Sequence, residues 1–467
     1  MDILKGLFQK AQNFTNDIIG NKYYSAFVTI LTIFGIATNL VIPTGILILV
    51  LVTCIFLFSE DALSALGTIM CGIMVMTPYY EDYLELVKYW PLLIAPSLAF
   101  IFNIIYYRGE HIKGRFLPSL ILVSLALIVG GIGDVKVKDY FSVYNAYYTL
   151  GLGLFLAIGY VFLSSRISRP SVAKNSLNRM AEILYASAII AGFLILFFYI
   201  ENWGDIWPDF DTPFIPYRNF CTAVMLLGLP CPCLFAVRNK IHLIFWFLLY
   251  AVMLISGSRS AFLFGTVEMV LCIMYMRYHH NSFKIDLKKT LFIYAIPIAV
   301  ICSCIVIFIY FGETGRIEAS FINPNETRIK LYEQAIKDFF DRPLNGFGII
   351  NDNNEDIFIR DIVPGGIMFC HNSILQIASS LGMIGIIAYS YQFIQRIKLI
   401  IEKLQTEDCI FGISFVGITL ISLVNPGIFC PIPEAMLVVS MFSVLEYHQS
   451  VMKSSDTKMT ETSEKIA

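Results

Sequence analysis

The chain has 467 residues, of which 57% are hydrophobic and only 15% are charged, and its mean hydropathy is +0.70. A soluble protein of this length carries far more charge, so the composition indicates a polytopic membrane protein. The net charge of −2, with no basic stripe between aromatic residues, gives no reason to expect a nucleic acid partner.

The first residues have the pattern of an amphipathic helix. Apolar side chains recur at helical spacing between Ile3 and Ile18, and lysines and glutamines fall mostly on other sides of the helix. A helix of this kind lies on a membrane surface and does not cross it. We therefore predict an interfacial amphipathic helix over residues 1–20.

Apolar runs fill most of the remaining chain and predict an all-α fold with about fourteen transmembrane helices, several of them shorter than the usual ~20 residues. We assign helices 1 to 11 to residues 21–311 and helices 12 to 14 to residues 372–448. The polar tail over residues 449–467 is predicted to be disordered and cytoplasmic. The runs lie near residues 24–41, 44–58, 62–78, 90–107, 115–132, 145–163, 181–200, 218–237, 240–257, 259–277, 289–311, 372–395, 409–425 and 431–447.

Loop charges alternate along the chain and set the predicted orientation. Arginine and lysine concentrate in every second connection, whereas acidic residues dominate the others. Positive residues mark the cytoplasmic side, so both termini are predicted to be cytoplasmic in a multi-pass protein of the cytoplasmic membrane. The short Glu60-Asp61 turn is the main exception. The basic connections contain Arg108, Lys113, Arg115, Arg166, Arg169, Lys174, Arg179, Arg238, Lys240, Arg277, Lys284, Lys288, Lys289, Arg396, Lys398 and Lys403.

One long polar segment, residues 312–371, interrupts the apolar runs and is predicted to be an extracytoplasmic catalytic loop with short helices. Asn323 to Glu326 has the pattern of a helix start, with a capping residue followed by proline. The helix that follows carries an apolar stripe and ends at Pro343. The segment from Leu344 to Gly348 predicts a flexible turn. The stripe consists of Ile329, Tyr332, Ile336, Phe339 and Phe340.

Four polar residues on the predicted outer face are candidates for chemistry. Arg259 lies among small residues that predict a tight turn, although an arginine at a membrane edge also snorkels to headgroups. Arg328 falls near the start of the loop helix, where it can bind an anion or pair with an acidic neighbour. Arg218 is an interfacial anchor or a phosphate contact. His371 can accept a proton from a hydroxyl near neutral pH, or it has a structural role.

Two patterns partly match metal sites, and neither predicts one. Asp352, Asn354 and Asp356 match the first ligands of a calcium loop, but Ile357 and Val363 occupy the glycine position and the closing glutamate position. The Cys231-Pro232-Cys233 pair has no companion cysteine or histidine at zinc spacing.

Several of these features occur in an order that resembles a known family. They are Arg259 in its serine and glycine setting, Arg328 before an aromatic-rich helix, the turn from Arg342 to Gly348, and His371-Asn372 followed by Gly382-Met383-Ile384-Gly385. Over roughly residues 215–395 this order resembles the O-antigen ligase and O-antigen polymerase superfamily of bacterial membrane glycosyltransferases.

The resemblance implies a function and roles for three residues. The donor would be a glycan on undecaprenyl pyrophosphate, transferred to a glycan acceptor on the outer face of the membrane without nucleotide sugar, ATP or an obligatory metal, and hence without a cofactor. Arg259 and Arg328 match the family's functional arginines, and His371 matches its histidine. Membrane lipids and a chain-length regulator protein are the other partners that the resemblance suggests.

The sequence is compatible with more than one function. The apparent number of spans favours a polymerase that builds O-antigen or capsule, whereas a ligase would move the finished glycan to another acceptor. A polysaccharide flippase or transporter would show paired repeats and more midplane charge than Glu268. A non-catalytic scaffold would not explain why the arginines and the histidine gather on the predicted outer face.

The charge alternation predicts the sidedness of four loops. Reporter domains fused after Arg169 and Lys284 should be cytoplasmic, because both positions follow basic clusters. Tags near Asp209 and Asn353 should label from outside intact cells. A tag at Asn353 that stays protected in intact cells, yet labels after permeabilisation, would contradict this topology.

Overall fold

The computed structural model describes residues 2–79, 88–107, 109, 114–131, 149–167, 175–202, 215, 217–278, 329, 331–349, 370–402, 408–425 and 432–448. Regular structure in these residues is entirely helical, which confirms the predicted all-α class. The helices are α1 Asp2–Gly20, α2 Tyr24–Ala37, α3 Val41–Phe58, α4 Ala62–Met76, α5 Ile94–Tyr106, α6 Phe116–Ala126, α7 Leu156–Ile167, α8 Ser176–Glu201, α9 Arg218–Gly228, α10 Cys231–Ala236, α11 Ile241–Ile255, α12 Arg259–Tyr278, α13 331–341, α14 Ser373–Ile401, α15 Cys409–Ile421 and α16 432–448. Short 3₁₀ turns cover Thr77–Tyr79 and Trp90–Leu93, and π-helical turns cover Leu127–Gly131 and Thr149–Phe155.

Six helices in the described residues are long and apolar enough to cross a membrane. They are Val41–Phe58, Thr149–Ile167, Ser176–Glu201, Arg218–Ala236, Arg259–Arg277 and Ser373–Ile401. Shorter apolar helices cover Tyr24–Ala37, Ala62–Met76, Trp90–Tyr106, Phe116–Gly131, Ile241–Ile255 and Cys409–Ile421. The predicted span over 289–311 and the predicted tail over 449–467 lie outside the described residues. Fourteen spans therefore remains a prediction.

Large apolar side chains point away from the helix packing. Ile30 and Phe34 on α2 are 65% and 55% exposed, and Ile244, Leu248 and Met274 on α11 and α12 are similarly open. Soluble proteins bury such residues or confine them to small patches, whereas a bilayer covers them with lipid tails. The helix faces thus agree with the composition, and the chain forms a multi-pass membrane protein.

The chain divides into two compact units. The first unit comprises Met1–Lys113, Tyr160–Ser258 and Ser440–Ala467, and the second comprises Gly114–Gly159 and Arg259–Val439. In the first unit α8 is central, because it contacts α2, α4, α9 and α11. Its buried residues cover more than half of its circumference between Ser176 and Ile195, as expected of a helix with neighbours on several sides.

The predicted interfacial helix is present as α1, which packs on α3. The Phe8 ring lies 5.5 Å from that of Phe58, and the Gln12 amide donates to the Tyr107 hydroxyl at 2.7 Å. On other sides of the helix Leu7 and Phe14 are 58% and 68% exposed. One face of α1 therefore binds the helix bundle, and apolar side chains remain open elsewhere; the membrane-surface location stays a prediction.

The acidic turn that departs from the charge rule has a basic partner. Asp61 caps α4 by accepting from the Ser64 amide at 3.2 Å, and the Arg179 guanidinium forms an ion pair with the same carboxylate. Arg179 belongs to one of the basic connections assigned to the cytoplasmic side. Pairing offsets the charge of Asp61, so this acidic residue is compatible with the predicted orientation.

The second unit is built around α6 and α14. Their contact continues through the π-helical turn Leu127–Gly131, and α12 packs on α15. The Arg396 guanidinium on α14 lies 5.5 Å from the Phe116 ring and 5.7 Å from the Phe415 ring, so aromatic faces stabilise this buried cation. The apolar cluster of the unit comprises Val123, Ala126, Leu127, Leu152, Ile349, Leu381, Ala388 and Ala435.

The close crossing of α8 and α9 depends on Gly228. A Cβ atom at this position would overlap the Leu184 carbonyl oxygen and come within 2.5 Å of the Ala188 Cβ. Gly228→Ala should therefore lower the stability of the purified protein by roughly 1 to 3 kcal/mol, measured as a lower thermal midpoint in detergent. Gly159→Ala is the matched control, because no atom lies within 4 Å of its added Cβ. Equal midpoints for the two variants would contradict this packing.

Candidate functional site

The site begins with a break in α14. Gly382 has φ of 60° and ψ of −153°, which are not helical values, so the helix bends within its apolar length. In a regular helix the Ser379 and Ser380 carbonyls would accept from the Met383 and Ile384 amides. The break separates both pairs, and an unpaired backbone group within hydrocarbon costs several kcal/mol.

Residues 343–349, which follow α13 and are called here the motif turn, supply the missing partners. The Phe347 and Gly348 amides donate to the Ser379 and Ser380 carbonyls at 3.0 and 2.9 Å. The Met383 and Ile384 amides donate to the Pro343 and Leu344 carbonyls at 2.7 and 3.2 Å. All four groups released by the break are thus bonded, and the motif turn is fixed against α14.

Two glycines make this exchange possible. Gly346 and Gly382 have φ of 67° and 60°, values that favour glycine. A Cβ atom on Gly346 would overlap the Ser380 backbone, and one on Gly382 would come within 2.6 Å of the Leu344 carbonyl carbon. Both positions therefore require glycine for conformation and for close approach.

The π-helical turn of α6 holds the other side of the motif turn. The Ile349 amide donates to the Gly131 carbonyl at 3.2 Å, and a Cβ atom on Gly130 would overlap the Asn345 carbonyl oxygen. π-Helical turns often occur at functional sites. Here the Gly131 carbonyl, at the end of such a turn, binds the motif turn.

Gln376 connects the motif turn to the segment that carries the candidate base. Its side chain is buried, accepts from the Cys370 amide at 2.6 Å and donates to the Ile349 carbonyl at 3.1 Å and the Ser380 hydroxyl at 2.9 Å. One amide side chain of α14 thus joins the backbone at Cys370 to the backbone at Ile349. Cys370 is fixed in this way immediately before His371.

His371 is half-buried and lies just before the start of α14. Asn372 caps that helix by accepting from the Ile374 and Leu375 amides at 2.9 and 3.1 Å. The Tyr332 hydroxyl on α13 donates to the His371 carbonyl at 3.3 Å, and His371 Nδ1 lies 3.3 Å from Asn425 Oδ1. The imidazole is therefore located by contacts from α13 and from the turn after α15.

The neighbouring cysteine has a different environment. Burial raises the pKa of the Cys370 thiol to about 12, and the nearby Asp338 carboxylate adds to the rise. The thiol also contacts the Leu331 carbonyl at 3.9 Å. At neutral pH Cys370 is therefore a protonated, structural thiol and a poor nucleophile.

Helix α13 ends before Pro343, as predicted, but its predicted apolar stripe faces outward. Ile336 and Phe340 are 46% and 73% exposed, whereas Leu331, Ala335 and Asp338 are buried. The buried Asp338 carboxylate accepts from Gln334 at 2.6 Å, which compensates for its burial. Periodicity thus identified the helix, whose apolar stripe is largely exposed.

A cavity of about 30 Å³ lies between α13, the motif turn and the start of α14. This volume holds one or two water molecules and is far too small for a sugar. Its lining includes Gln334, Asp338, Cys370, Gln376 and Ser379. The cavity therefore belongs to the polar packing behind His371, and a glycan would have to bind elsewhere.

The candidate arginines occupy separate elements. Arg259 is exposed and begins α12. Arg218 begins α9 in the first unit, where its Nη1 lies 3.7 Å from the position of a Cβ on Gly257, whose φ is 70°. The turn at Gly257 is tight and depends on glycine, as its small residues predicted. The Arg218 side chain approaches this turn.

Of the four predicted site residues, His371 contacts Tyr332 and Asn425, which sequence reasoning did not assign to the site. Arg259 and Arg218 lie on other helices, and Arg328 lies outside the described residues, as do the acidic positions of the calcium pattern. Sequence reasoning missed Gln376 and Asn425. A glutamine within an apolar span and an asparagine before Pro426 at the end of one were the available signals.

The fold defines a multi-pass membrane protein that is helical in its described residues. The polar contacts around His371 define a candidate site at the ends of its apolar helices. Residues 243–390 match the family model described as O-Antigen ligase. This match confirms the resemblance to the O-antigen ligase superfamily for that part of the chain, which contains Arg259, Arg328, the motif turn and His371. It indicates a membrane enzyme that handles glycans, of the glycosyltransferase-like ligase type.

A second similarity involves a curated protein, NADH-ubiquinone oxidoreductase chain 5 of Cryptococcus neoformans var. grubii serotype A. The two sequences are 24% identical over 205 residues, which cover 42% of this chain and 29% of that protein. The chain thus matches under a third of the length of this relative. Identity at this level assigns no activity.

The backbone exchange at the α14 break predicts a strong effect of Gly382→Ala. The added Cβ would strain the φ of 60° and displace the motif turn, so we expect a loss of roughly 2 kcal/mol or more of stability. Thermal unfolding in detergent measures this. In the same unit, Gly153→Ala meets its nearest atoms at 3.4 Å or beyond and should leave the midpoint nearly unchanged. A wild-type midpoint for Gly382→Ala would contradict the exchange.

Proposed function

We propose that this protein is a membrane glycosyltransferase that polymerises undecaprenyl-pyrophosphate-linked oligosaccharide repeat units into surface polysaccharide, O-antigen or capsule, on the outer face of the cytoplasmic membrane. The observation that carries the proposal is the family match over residues 243–390, which includes Arg259, Arg328 and His371. The ordered helix start at His371 supports it further.

The reaction joins an acceptor hydroxyl to the anomeric carbon of the donor glycan. The new bond forms between the acceptor oxygen and the anomeric carbon as the bond from that carbon to the pyrophosphate oxygen breaks. His371 accepts the hydroxyl proton, and the polyprenyl pyrophosphate leaves with the bonding electron pair. The leaving group is anionic at neutral pH and needs positive charge more than a proton.

Arginines suit this leaving group because a guanidinium binds phosphate oxygens with two parallel hydrogen bonds. Arg259 and Arg328 are proposed as the pyrophosphate clamp, with Arg218 as a further contact. Arg259 is exposed at the start of α12, and Arg218 approaches the turn at Gly257 that precedes it in sequence. An exposed guanidinium is less costly to pair with an anion than a buried one, because less of the protein has to be rearranged around it.

Ligation is the second candidate, and the description of the matching family favours it. The chemistry at the anomeric carbon is the same, and only the acceptor differs. Purified protein incubated with lipid-linked repeat units distinguishes the two. A ladder of products indicates polymerisation, whereas a single transfer to a second lipid acceptor indicates ligation.

His371→Ala should lower the rate of transfer by roughly 100-fold or more while the lipid-linked donor still binds, because a general base acts mainly in the transition state. Arg259→Ala and Arg328→Ala should weaken donor binding and turnover together, and lysine at either position should restore only part of the loss. Product sizing and donor-binding assays in nanodiscs measure both effects.

Arg238→Ala provides the matched control, since Arg238 is exposed and belongs to a connection predicted to be cytoplasmic. It should transfer glycan normally. Near-normal transfer by correctly inserted His371→Ala protein would remove the proposed base and refute this mechanism.

A further inference from the structure

The turn over residues 422–425 is fastened to the start of α14. The Ser373 amide donates to the Ser422 carbonyl at 2.8 Å, and the Asn372 side chain donates to the Leu423 carbonyl at 3.1 Å. The Ser373 hydroxyl donates to the Asn425 carbonyl at 3.5 Å. This turn, called here the α15 turn, therefore forms a fixed wall beside His371.

Asn425 directs its side chain from this wall to the imidazole. Asn425 is only 5% exposed, and its Oδ1 lies 3.3 Å from His371 Nδ1. An amide oxygen accepts hydrogen bonds and cannot donate them. The contact therefore requires the proton on Nδ1, which leaves the lone pair of a neutral imidazole on Nε2.

The backbone on both sides of the imidazole is fixed as well. The Tyr332 hydroxyl binds the His371 carbonyl, and Gln376 binds the Cys370 amide. With its main chain anchored, the ring has few remaining orientations, and a hydrogen bond to Nδ1 selects among them. In histidine bases, the partner of one ring nitrogen determines the tautomer and thus the atom that accepts the proton.

We propose that Asn425 is a positioning residue that holds His371 in the Nδ1-protonated tautomer and so makes Nε2 the proton acceptor for the sugar hydroxyl. The inference rests on the proposed function of His371 as the base. A neutral amide orients the ring without the negative charge of a carboxylate, which would stabilise the imidazolium form.

Among the residues that the structure describes, titratable groups near His371 belong to α13 and to Cys370. Tyr332 touches the His371 carbonyl, and Asp338 lies buried near the Cys370 thiol. Glu333 and Lys337 are exposed on α13. The α15 turn (Ser422, Leu423, Val424, Asn425) and the first turn of α14 (Ser373, Ile374, Leu375, Gln376) contain no titratable side chain. A carboxylate at position 425 would therefore be a new charge beside the ring.

Asn425→Asp tests the proposal through the pH profile. The carboxylate still accepts from Nδ1, so transfer is retained, but its charge stabilises the imidazolium and raises the pKa of His371. Because the neutral base is the active form, the acidic limb of kcat/KM should move to higher pH by about 1 to 2 units. At pH 7 the rate should fall by roughly 10-fold and recover in alkaline buffer.

Asn425→Leu removes the hydrogen bond at similar size. It should lower kcat by roughly 10-fold or more at every pH while the KM for the lipid-linked donor stays close to normal. Leu423→Ala is the matched control, since this side chain is 40% exposed and only its carbonyl binds Asn372. Its pH profile and kcat should match those of the unaltered protein.

The tautomer can be measured without altering position 425. Full-length protein labelled with ¹⁵N-histidine, in nanodiscs, should show His371 with a protonated Nδ1 and an unprotonated Nε2; its signals are those absent from His371→Gln protein. An Nε2-protonated tautomer, or an Asn425→Asp pH profile that superimposes on that of the unaltered protein, would overturn the proposal. Transfer by His371→Ala protein would instead refute the proposed function, so the two failures are distinct.

Discussion

Every backbone amide and carbonyl within a bilayer must find a hydrogen bond inside the protein, and the candidate site depends on how this chain meets that requirement. The break at Gly382 frees two carbonyls and two amides of α14, and the motif turn binds all four. A helix interruption that would otherwise be costly thus becomes an attachment point. Through Gln376 the same arrangement fixes the segment that carries His371.

The polar side chains buried among the apolar helices follow the same constraint. The Arg166 guanidinium donates to the Asn103 carbonyl at 2.8 Å, and the Asn103 amide donates to the Phe56 and Ser59 carbonyls at 2.7 Å each. In the second unit, fully buried Glu268 packs against Gly417, where any Cβ would overlap its carboxyl group. Arg166 and Asn103 therefore bond their buried polar groups to specific acceptors, and Glu268 is enclosed by close packing against Gly417.

Local sequence signals predicted the helices well and their interruption poorly. The apolar run near residues 181–200 corresponds to α8, and Pro343 follows the end of α13 as expected. In contrast, the apolar run over residues 372–395 predicted one continuous span. Single glycines are common in membrane helices, so Gly382 did not indicate a break. The partners of Gly382 lie more than thirty residues earlier in the chain, and periodicity within a short window cannot detect such long-range hydrogen bonds. The order of the motifs, and not their periodicity, indicated that these segments belong to one site.

Cys370 and His371 are adjacent residues whose side chains could each act as a base or a nucleophile. The fold places them in different environments. Cys370 is buried against α13, and its raised pKa keeps the thiol protonated at neutral pH. His371 is half-buried, with its Nδ1 facing Asn425. A buried, protonated thiol is a poor base, whereas a histidine side chain is suited to proton transfer near neutral pH. The proposed proton transfer therefore falls to His371 and not to Cys370.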